Sequence, residues 1–179
     1  MPERGLARSL VEAYVHFDLV RPRGSAAAEV AHEPDGLVLR LGEAEVLVPY
    51  EAEEAAREQG LTFGAGLSEL LDPGQWTLVA ATYAARALEG GLMYAAGAAA
   101  GEDAYERVAT NWRFAADAVA EALKFFPEGG AELPAEAFWS EEGRTLRESE
   151  PARLTREKLE RDLAFYRRSL TDFQRLRTP

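Results

Sequence analysis

The hydrophobic pattern of the chain is organised around the stretch from Trp76 to Phe126, which predicts two long helices joined at residues 100–103. In the second helix the apolar positions alternate in steps of three and four and form one unbroken stripe: Tyr105, Val108, Trp112, Ala115, Val119, Ala122 and Phe126. The first helix is apolar almost all round, and only Arg86 and Glu89 carry charge. Because a helix that is apolar on every side is usually buried on several, we expect it to be the central rod of a bundle.

Helical periodicity recurs at both ends of the chain. The pattern predicts an amphipathic helix in residues 1–21, from Leu6 to Val20, with Glu12 away from its apolar face. Residues 154–176 predict a last helix that docks on the bundle. Its apolar face consists of Leu159, Leu163, Tyr166, Leu170 and Phe173.

Between residues 26 and 49 the hydrophobic period changes to two, which is typical of strands. Three short strands are predicted, over Ala26–His32, Leu37–Leu41 and Ala44–Val48. The two links between them have turn chemistry, with Pro34-Asp35-Gly36 in one and Gly42-Glu43 in the other. The pattern therefore predicts an antiparallel meander.

Residues 50–71 predict short helices, and residues 127–151 predict an irregular connection. The pattern predicts an acidic helix from Tyr50 to Gln59 and, after a glycine-rich link, a single helical turn at Leu67–Leu71. Together the elements predict one α+β domain over residues 1–179, mainly helical, with a small meander and a helical bundle.

Composition excludes several kinds of chemistry. The chain has no cysteine and only two histidines, which excludes disulfides and thiolate metal sites and disfavours a histidine-rich metal centre. Its net charge of −11 repels phosphates, so nucleic acid is not an expected partner. The apolar segment 78–100 is rich in alanine and glycine and interrupted by charges, so a membrane span is not expected. No signal peptide is visible, and we expect a cytoplasmic location.

Charge is distributed unevenly along the chain. Residues 151–179 carry eight basic and four acidic side chains, a net +4, so that residues 1–150 carry −15. The basic last helix is therefore expected to dock on the acidic part of the chain formed by residues 1–150. Arginine outnumbers lysine 18 to 2 and alanine is abundant, a bias that indicates a GC-rich bacterial genome.

Two adjacent aromatic residues, Phe138 and Trp139, stand in the irregular connection. They either fix this connection to the bundle or anchor a partner, because buried tryptophan often dominates binding energy. Glu136, Glu141 and Glu142 surround them in sequence. These five residues are candidates for contact with a partner.

Arg86 and Glu89, three apart on an apolar helix, form a second candidate site. If they are buried they need partners, because an uncompensated internal charge is costly. We interpret them as a structural ion pair, as a charged strip that reaches solvent, or as the polar floor of a small-molecule pocket. The walls of such a pocket would be Tyr83, Tyr94, Tyr105 and Trp112.

Four carboxylates have a spacing that suits metal binding: Glu51-x-x-Glu54 is followed by Glu69-x-x-Asp72. Residues three apart on a helix project to the same side, so two such pairs could hold Mg²⁺ on a triphosphate. The spacing resembles the signature of the all-α nucleoside-triphosphate pyrophosphatases, which implies a magnesium-dependent hydrolase. The chain departs from that signature where Pro73-Gly74 ends the helix directly after Asp72.

The sequence favours a non-enzymatic function, because it offers no convincing catalytic set and carries a strong negative charge. We expect an acidic protein-interaction module, in its most specific form a bacterial immunity or antitoxin-type inhibitor of a basic partner. No cofactor is expected, and association with further copies of the chain stays open. The alternative is a helical protein that binds a small molecule or hydrolyses nucleoside triphosphates with Mg²⁺.

Overall fold

The computed structural model describes residues 3–177 and has seven α-helices and four strands in that range. It confirms the prediction of an α+β fold that is mainly helical. Its contacts divide the chain into two compact units, Met1–Asp72 and Pro73–Pro179, here called the sheet unit and the helical unit. The organisation of residues 1–179 as one domain stays a prediction.

The sheet unit is built on a four-stranded sheet of order β1-β4-β3-β2. Its strands are β1 (Gly5–Leu6), β2 (Glu29–Glu33), β3 (Gly36–Leu41) and β4 (Ala44–Pro49). The last three form the predicted antiparallel meander, in which Leu39 pairs with Val46. Gly42 has a φ of 61° in the two-residue turn between β3 and β4, a left-handed conformation that glycine adopts without steric cost.

Three helices belong to the sheet unit: α1 (Leu10–Val20), α2 (Gly24–Ala27) and α3 (Tyr50–Glu58). The prediction that the first helix begins at Leu6 is wrong, because Leu6 lies in β1 and pairs in parallel with β4. α1 begins after Ser9, whose hydroxyl oxygen accepts a hydrogen bond from the Glu12 amide at 3.0 Å and so caps the helix. The fully buried apolar core of this unit includes Phe17, Val38, Leu39, Val48 and Leu71.

The predicted first strand begins at Ala26, which is too early. Residues 24–27 form α2 instead, and β2 starts at Glu29. The Asp18 carboxylate holds this turn, because it accepts hydrogen bonds from the amide and the hydroxyl of Ser25 at 2.9 and 2.7 Å. Gly24 lies so close to the backbone of Phe17 that a side chain there would clash. Side-chain hydrogen bonding and a steric contact thus override the alternating pattern.

Four charged side chains form an ion-pair network on the sheet. Arg4 and Arg40 each contact Glu33 at 2.8 Å, and they contact Glu45 at 2.6 and 2.7 Å. Hydrogen bonds from Arg4 and then Arg40 lower the pKa of Glu33 from its ordinary value.

Replacing Glu33 with glutamine is expected to make the free energy of unfolding depend less on pH in the acid range. A carboxyl with a lowered folded pKa stabilises the fold above its unfolded pKa, here 4.5, and loses that contribution as pH falls through the folded pKa. Glu33→Gln should therefore be less stable than the parent at about pH 6 and converge with it near pH 2. Urea unfolding at both pH values measures this, with the exposed Glu43→Gln as control. A difference that does not change with pH would contradict the assignment.

Within the described residues, the helical unit contains four α-helices, three of which have 20 residues or more. They are α4 (Pro73–Ala95), α5 (Glu102–Leu123), α6 (Glu141–Ser149) and α7 (Arg156–Arg175), with 3-10 turns at Ala135–Ala137 and Pro151–Leu154. The predicted pair of long helices is confirmed, but the link between them covers residues 96–101 and not 100–103, because α4 ends at Ala95 and α5 begins at Glu102. Gly101 precedes α5 with a φ of 97°. The predicted last helix is confirmed as α7, which begins after Thr155; the hydroxyl oxygen of Thr155 accepts a hydrogen bond from the Lys158 amide at 3.2 Å.

The central helix of this unit is α5, and the expectation that α4 is the central rod is wrong. Every residue of the predicted α5 stripe, from Tyr105 to Phe126, is buried. α4 and α7 both pack on α5 and scarcely on each other. In the second half of α4, Leu88, Leu92 and Met93 are exposed. An apolar helix surface is buried only where a neighbouring element packs against it.

Gly90 of α4 allows α5 to approach closely. A Cβ added at Gly90 would lie 3.0 Å from Cγ2 of Val108, whereas one at Gly91 would lie 3.7 Å from Cγ1 of the same residue, an ordinary van der Waals distance. α4 continues through both glycines as one helix. The missing side chain at Gly90 therefore lets the two helices come together at Val108.

Candidate interaction site

Helix α6 lies in the connection that the sequence predicts to be irregular, and that prediction is wrong for residues 141–149. The start of α6 is set by Ser140, whose hydroxyl oxygen accepts a hydrogen bond from the Gly143 amide at 2.9 Å. Glu141 and Glu142 occupy the first turn, where the helix dipole stabilises carboxylates. α6 is short and is stabilised by its N-cap and two acidic residues. It lacks the long apolar stripe from which α5 can be predicted.

Two glycines place α6 directly against α4. A Cβ on Gly74, in the first turn of α4, would clash with the backbone of Gly143 in α6. Leu146 of α6 is also buried, at 5% exposure. The rest of α6 is turned to solvent, and its exposed residues are Glu141, Glu142, Arg144, Thr145, Arg147, Glu148 and Ser149.

An acidic cleft of about 410 Å³ runs along one side of α6. Its lining residues are Leu78, Glu141, Glu142, Thr145, Leu146, Ser149, Glu150 and Arg153. Glu150 pairs with Arg153 at 3.4 Å, whereas Glu141 and Glu142 make no ion pair within residues 3–177. Two carboxylates without a cation therefore stand beside the apolar side chains of Leu78 and Leu146.

Trp139 lies at the same end of α6, just before the capping serine, and is 43% exposed. Its ring contacts Phe125 with 5.9 Å between centroids. Its carbonyl oxygen accepts a hydrogen bond from Nη1 of Arg144 at 2.7 Å. The residue is held in place while a large part of its surface meets solvent, and such preorganisation favours an anchoring role.

Phe138, the other aromatic residue of the pair, is buried at 4% exposure. The guanidinium of Arg147 lies 5.8 Å from the centre of its ring. Phe138 lines a second cleft of about 290 Å³, together with Glu132, Leu133, Arg147, Glu148, Pro151, Leu154 and Thr155. Phe138 thus fixes the connection, whereas Trp139 and the exposed Glu136 remain accessible.

Arg86 and Glu89 are both exposed on α4. The Arg86 guanidinium lies 5.5 Å from the centre of the Tyr83 ring, and neither charge makes an ion pair within residues 3–177. Of the three interpretations of these residues, the structure shows the charged strip that reaches solvent.

Three of the four aromatic residues that would wall a pocket beside Arg86 are packed against α7, whereas Tyr83 contacts Phe114 of α5 with 5.2 Å between centroids. Tyr105 stacks on Phe173 with 5.0 Å between centroids, and Tyr94 contacts the same ring at 5.5 Å. Trp112 belongs to the same apolar cluster. Phe173 therefore fills the space in which the sequence suggests a ligand pocket.

The four carboxylates of the metal hypothesis have unlike surroundings. Glu51 and Glu54 are exposed on α3, Glu69 is exposed outside any helix, and Asp72 is fully buried. Across residues 3–177, no group of three or more His, Cys, Asp or Glu side chains is placed to hold a metal ion. The magnesium-site hypothesis receives no support from this arrangement.

A buried ion pair in the sheet unit is the strongest polar feature that sequence reasoning misses. Glu12, which the helical pattern places on a polar face, is 0% exposed. Its carboxylate contacts the Arg8 guanidinium at 2.8 Å, and it accepts hydrogen bonds from the Arg8 amide at 2.7 Å and the Ser68 hydroxyl at 2.6 Å. The available signal is Ser9-x-x-Glu12, which has the form of a capping box at a helix start.

The same network orders the segment that follows α3. Arg8 donates a hydrogen bond to the carbonyl oxygen of Gly66 at 2.6 Å. The Ser68 hydroxyl oxygen accepts hydrogen bonds from the amides of Leu70 and Leu71 at 3.2 and 3.0 Å. The helical turn predicted at Leu67–Leu71 is wrong, because these side-chain hydrogen bonds take its place.

Comparisons with known proteins assign no family to this chain, since no protein family, curated protein or solved structure matches it. Within the described residues, no helix combines the length and apolar character needed to cross a membrane. The acidic cleft, Trp139 and the net charge of the chain are the features that bear on its function.

Proposed function

We propose that this chain is a non-enzymatic interaction module that binds a basic partner protein through the acidic cleft and Trp139. The most specific form of the proposal is a bacterial immunity or antitoxin-type inhibitor of a basic toxin. One observation carries it: two carboxylates without a cation and a tryptophan that is 43% exposed lie at the same end of α6.

The parts of this surface act on different steps of binding. The net charge of −11 and the carboxylates of Glu141 and Glu142 attract a basic partner and speed the encounter. Trp139 offers a large rigid apolar surface of the kind that dominates binding energy at interfaces. Leu78 and Leu146 add an apolar floor beside the carboxylates. Charge therefore governs association, and the tryptophan governs dissociation.

The negative charge also has a simpler effect, because it keeps a protein soluble whatever its function. If solubility were its only role, acidic residues anywhere on the surface would be equivalent. The proposal instead requires the acids of the cleft to contribute more than equally exposed acids elsewhere.

A basic protein is expected among the proteins that the intact chain captures from its native host. Its association rate should fall steeply with salt while its dissociation rate changes less. Trp139→Ala should mainly speed dissociation and weaken affinity about thirtyfold, equivalent to about 2 kcal/mol. Surface plasmon resonance of the captured protein over a salt series gives both rate constants. Thermal melting of the variant is the control, because Trp139 also packs on Phe125.

Paired charge variants separate the cleft from the net charge. Glu141→Gln with Glu142→Gln should slow association, whereas Glu43→Gln with Glu160→Gln removes the same charge from exposed positions outside the cleft. Equal slowing by both pairs would contradict a local site. Recovery of no basic partner, or an association rate indifferent to salt, would overturn the proposal.

A further inference from the structure

Helix α4 has an apolar side that is left exposed. Steps of three and four align Ala81, Ala85, Leu88, Leu92 and Ala95 in one line, here called the α4 strip, and no charged residue falls on it. Leu88 and Leu92 are 57% and 65% exposed. A contiguous apolar surface of this kind commonly marks an interaction site.

The α4 strip borders a groove of about 260 Å³ between α4 and α7. The lining residues are Ala87, Leu88, Gly91, Leu92, Trp112, Asp172, Phe173 and Leu176, of which only Asp172 is charged. Trp112 of α5 forms the bottom of the groove. On the α7 side of the groove, Leu176 is 63% exposed. Phe165 lies farther along α7, contacts Trp112 and is 55% exposed.

We propose that this face is the interface of a homodimer, in which the α4 strip of each copy lies in the groove of the other. A two-fold contact needs a surface that is complementary to itself. Here a ridge and a groove lie side by side, because Leu88 and Leu92 project beside a depression in which Gly91 has no side chain. The same few residues can therefore supply both halves of the contact.

The composition of α4 and the local charge both favour a second copy as the occupant. A helix that is apolar on nearly every side is normally covered on several, yet within the helical unit α4 packs mainly on α5 and α6. Among residues 3–177, Asp172 is the only charged residue that lines the groove, and its carboxylate pairs with the Arg175 guanidinium at 3.6 Å. Two copies of net charge −11 would thus meet on a face that adds little repulsion.

The size of the face suits a weak dimer. The α4 strip is about 21 Å long, because the 14 residue steps from Ala81 to Ala95 each rise about 1.5 Å, and two neighbouring helices are about 20 Å across. Such a face covers about 420 Å² on each copy and about 840 Å² in total, which is the size of a weak or transient contact. We therefore expect reversible association and not an obligate dimer.

Sedimentation equilibrium of the full chain from about 1 µM to about 1 mM is expected to show a monomer–dimer equilibrium. Leu92→Glu should raise the dissociation constant at least tenfold, because it places a carboxylate in an apolar contact. Leu67→Glu, at a leucine that is 50% exposed in the sheet unit, is the matched control and should leave the constant unchanged. Melting temperatures of all three proteins should agree at the lowest concentration, where the monomer prevails.

A monomer at every concentration would overturn the homodimer. A dimer that Leu92→Glu leaves intact would place the contact elsewhere and overturn this interface. A lower melting temperature of Leu92→Glu at the lowest concentration would show that Leu92 serves the fold of one copy, and would also count against the proposal. None of these outcomes depends on the acidic cleft, so the test is independent of the proposed function.

Discussion

Removal of residues 154–179, which contain α7 and the end of the preceding 3-10 turn, is expected to unfold the helical unit. Leu154, Leu159 and Phe173 are buried, and complete burial of such side chains stabilises a fold by about 1.5–3 kcal/mol each, or about 5–9 kcal/mol together. The total stability of a typical domain is only about 5–15 kcal/mol. A chain that ends at Arg153 should therefore lose the cooperative melting of its helices and aggregate, as measured by circular dichroism and light scattering.

A pair of alanine variants on α7 provides a graded form of the same experiment. Phe173 is 6% exposed and packs on Tyr94 and Tyr105, whereas Phe165 is 55% exposed on the same helix. Phe173→Ala should lower the free energy of unfolding by about 3–5 kcal/mol. Phe165→Ala should lower it by about 0.5 kcal/mol or less. Equal stability of the two variants, or a truncated chain that melts at the parent temperature, would show that this packing is wrong.

Replacing Glu12 with glutamine is expected to lower the free energy of unfolding by about 3–5 kcal/mol. The substitution keeps the shape of the side chain but removes the charge that holds the Arg8 guanidinium, whose side chain is only 12% exposed. It also places an amide group, itself partly a donor, among the donors of Arg8 and Ser68. Urea unfolding of the full chain measures the loss.

Two further variants show whether the charge pair is the cause. Arg8→Met with Glu12→Met should be less destabilised than Glu12→Gln, because no unpaired charge then remains buried. Glu54→Gln changes an exposed carboxylate of α3 in the same way and should alter stability by about 0.5 kcal/mol or less. If Glu12→Gln were as stable as Glu54→Gln, the ion pair would not be what holds the segment after α3.

The sequence alone determined those elements that are specified by the pattern of residues close together in the chain. The stripe from Tyr105 to Phe126 predicted α5 and its buried face, and every member of that stripe is buried. Gly42-Glu43 predicted the turn between two strands, and the structure places that turn between Leu41 and Ala44. The spacing of Leu159, Tyr166 and Phe173 likewise predicted α7. These features need only local periodicity and local turn chemistry, both of which a single sequence contains.

The tertiary structure decided which apolar and charged faces are covered. Glu12 is buried because Ser68, far along the chain, supplies one of its hydrogen bonds. The space beside Tyr105 is filled because Phe173 reaches it from α7, and Leu92 is left exposed although its helix is apolar all round. Trp139 is accessible and Phe138 is not, although the two are adjacent in the sequence. Periodicity shows that a face can be buried, whereas actual burial and charge pairing depend on contacts between residues distant in the chain, which local patterns do not contain.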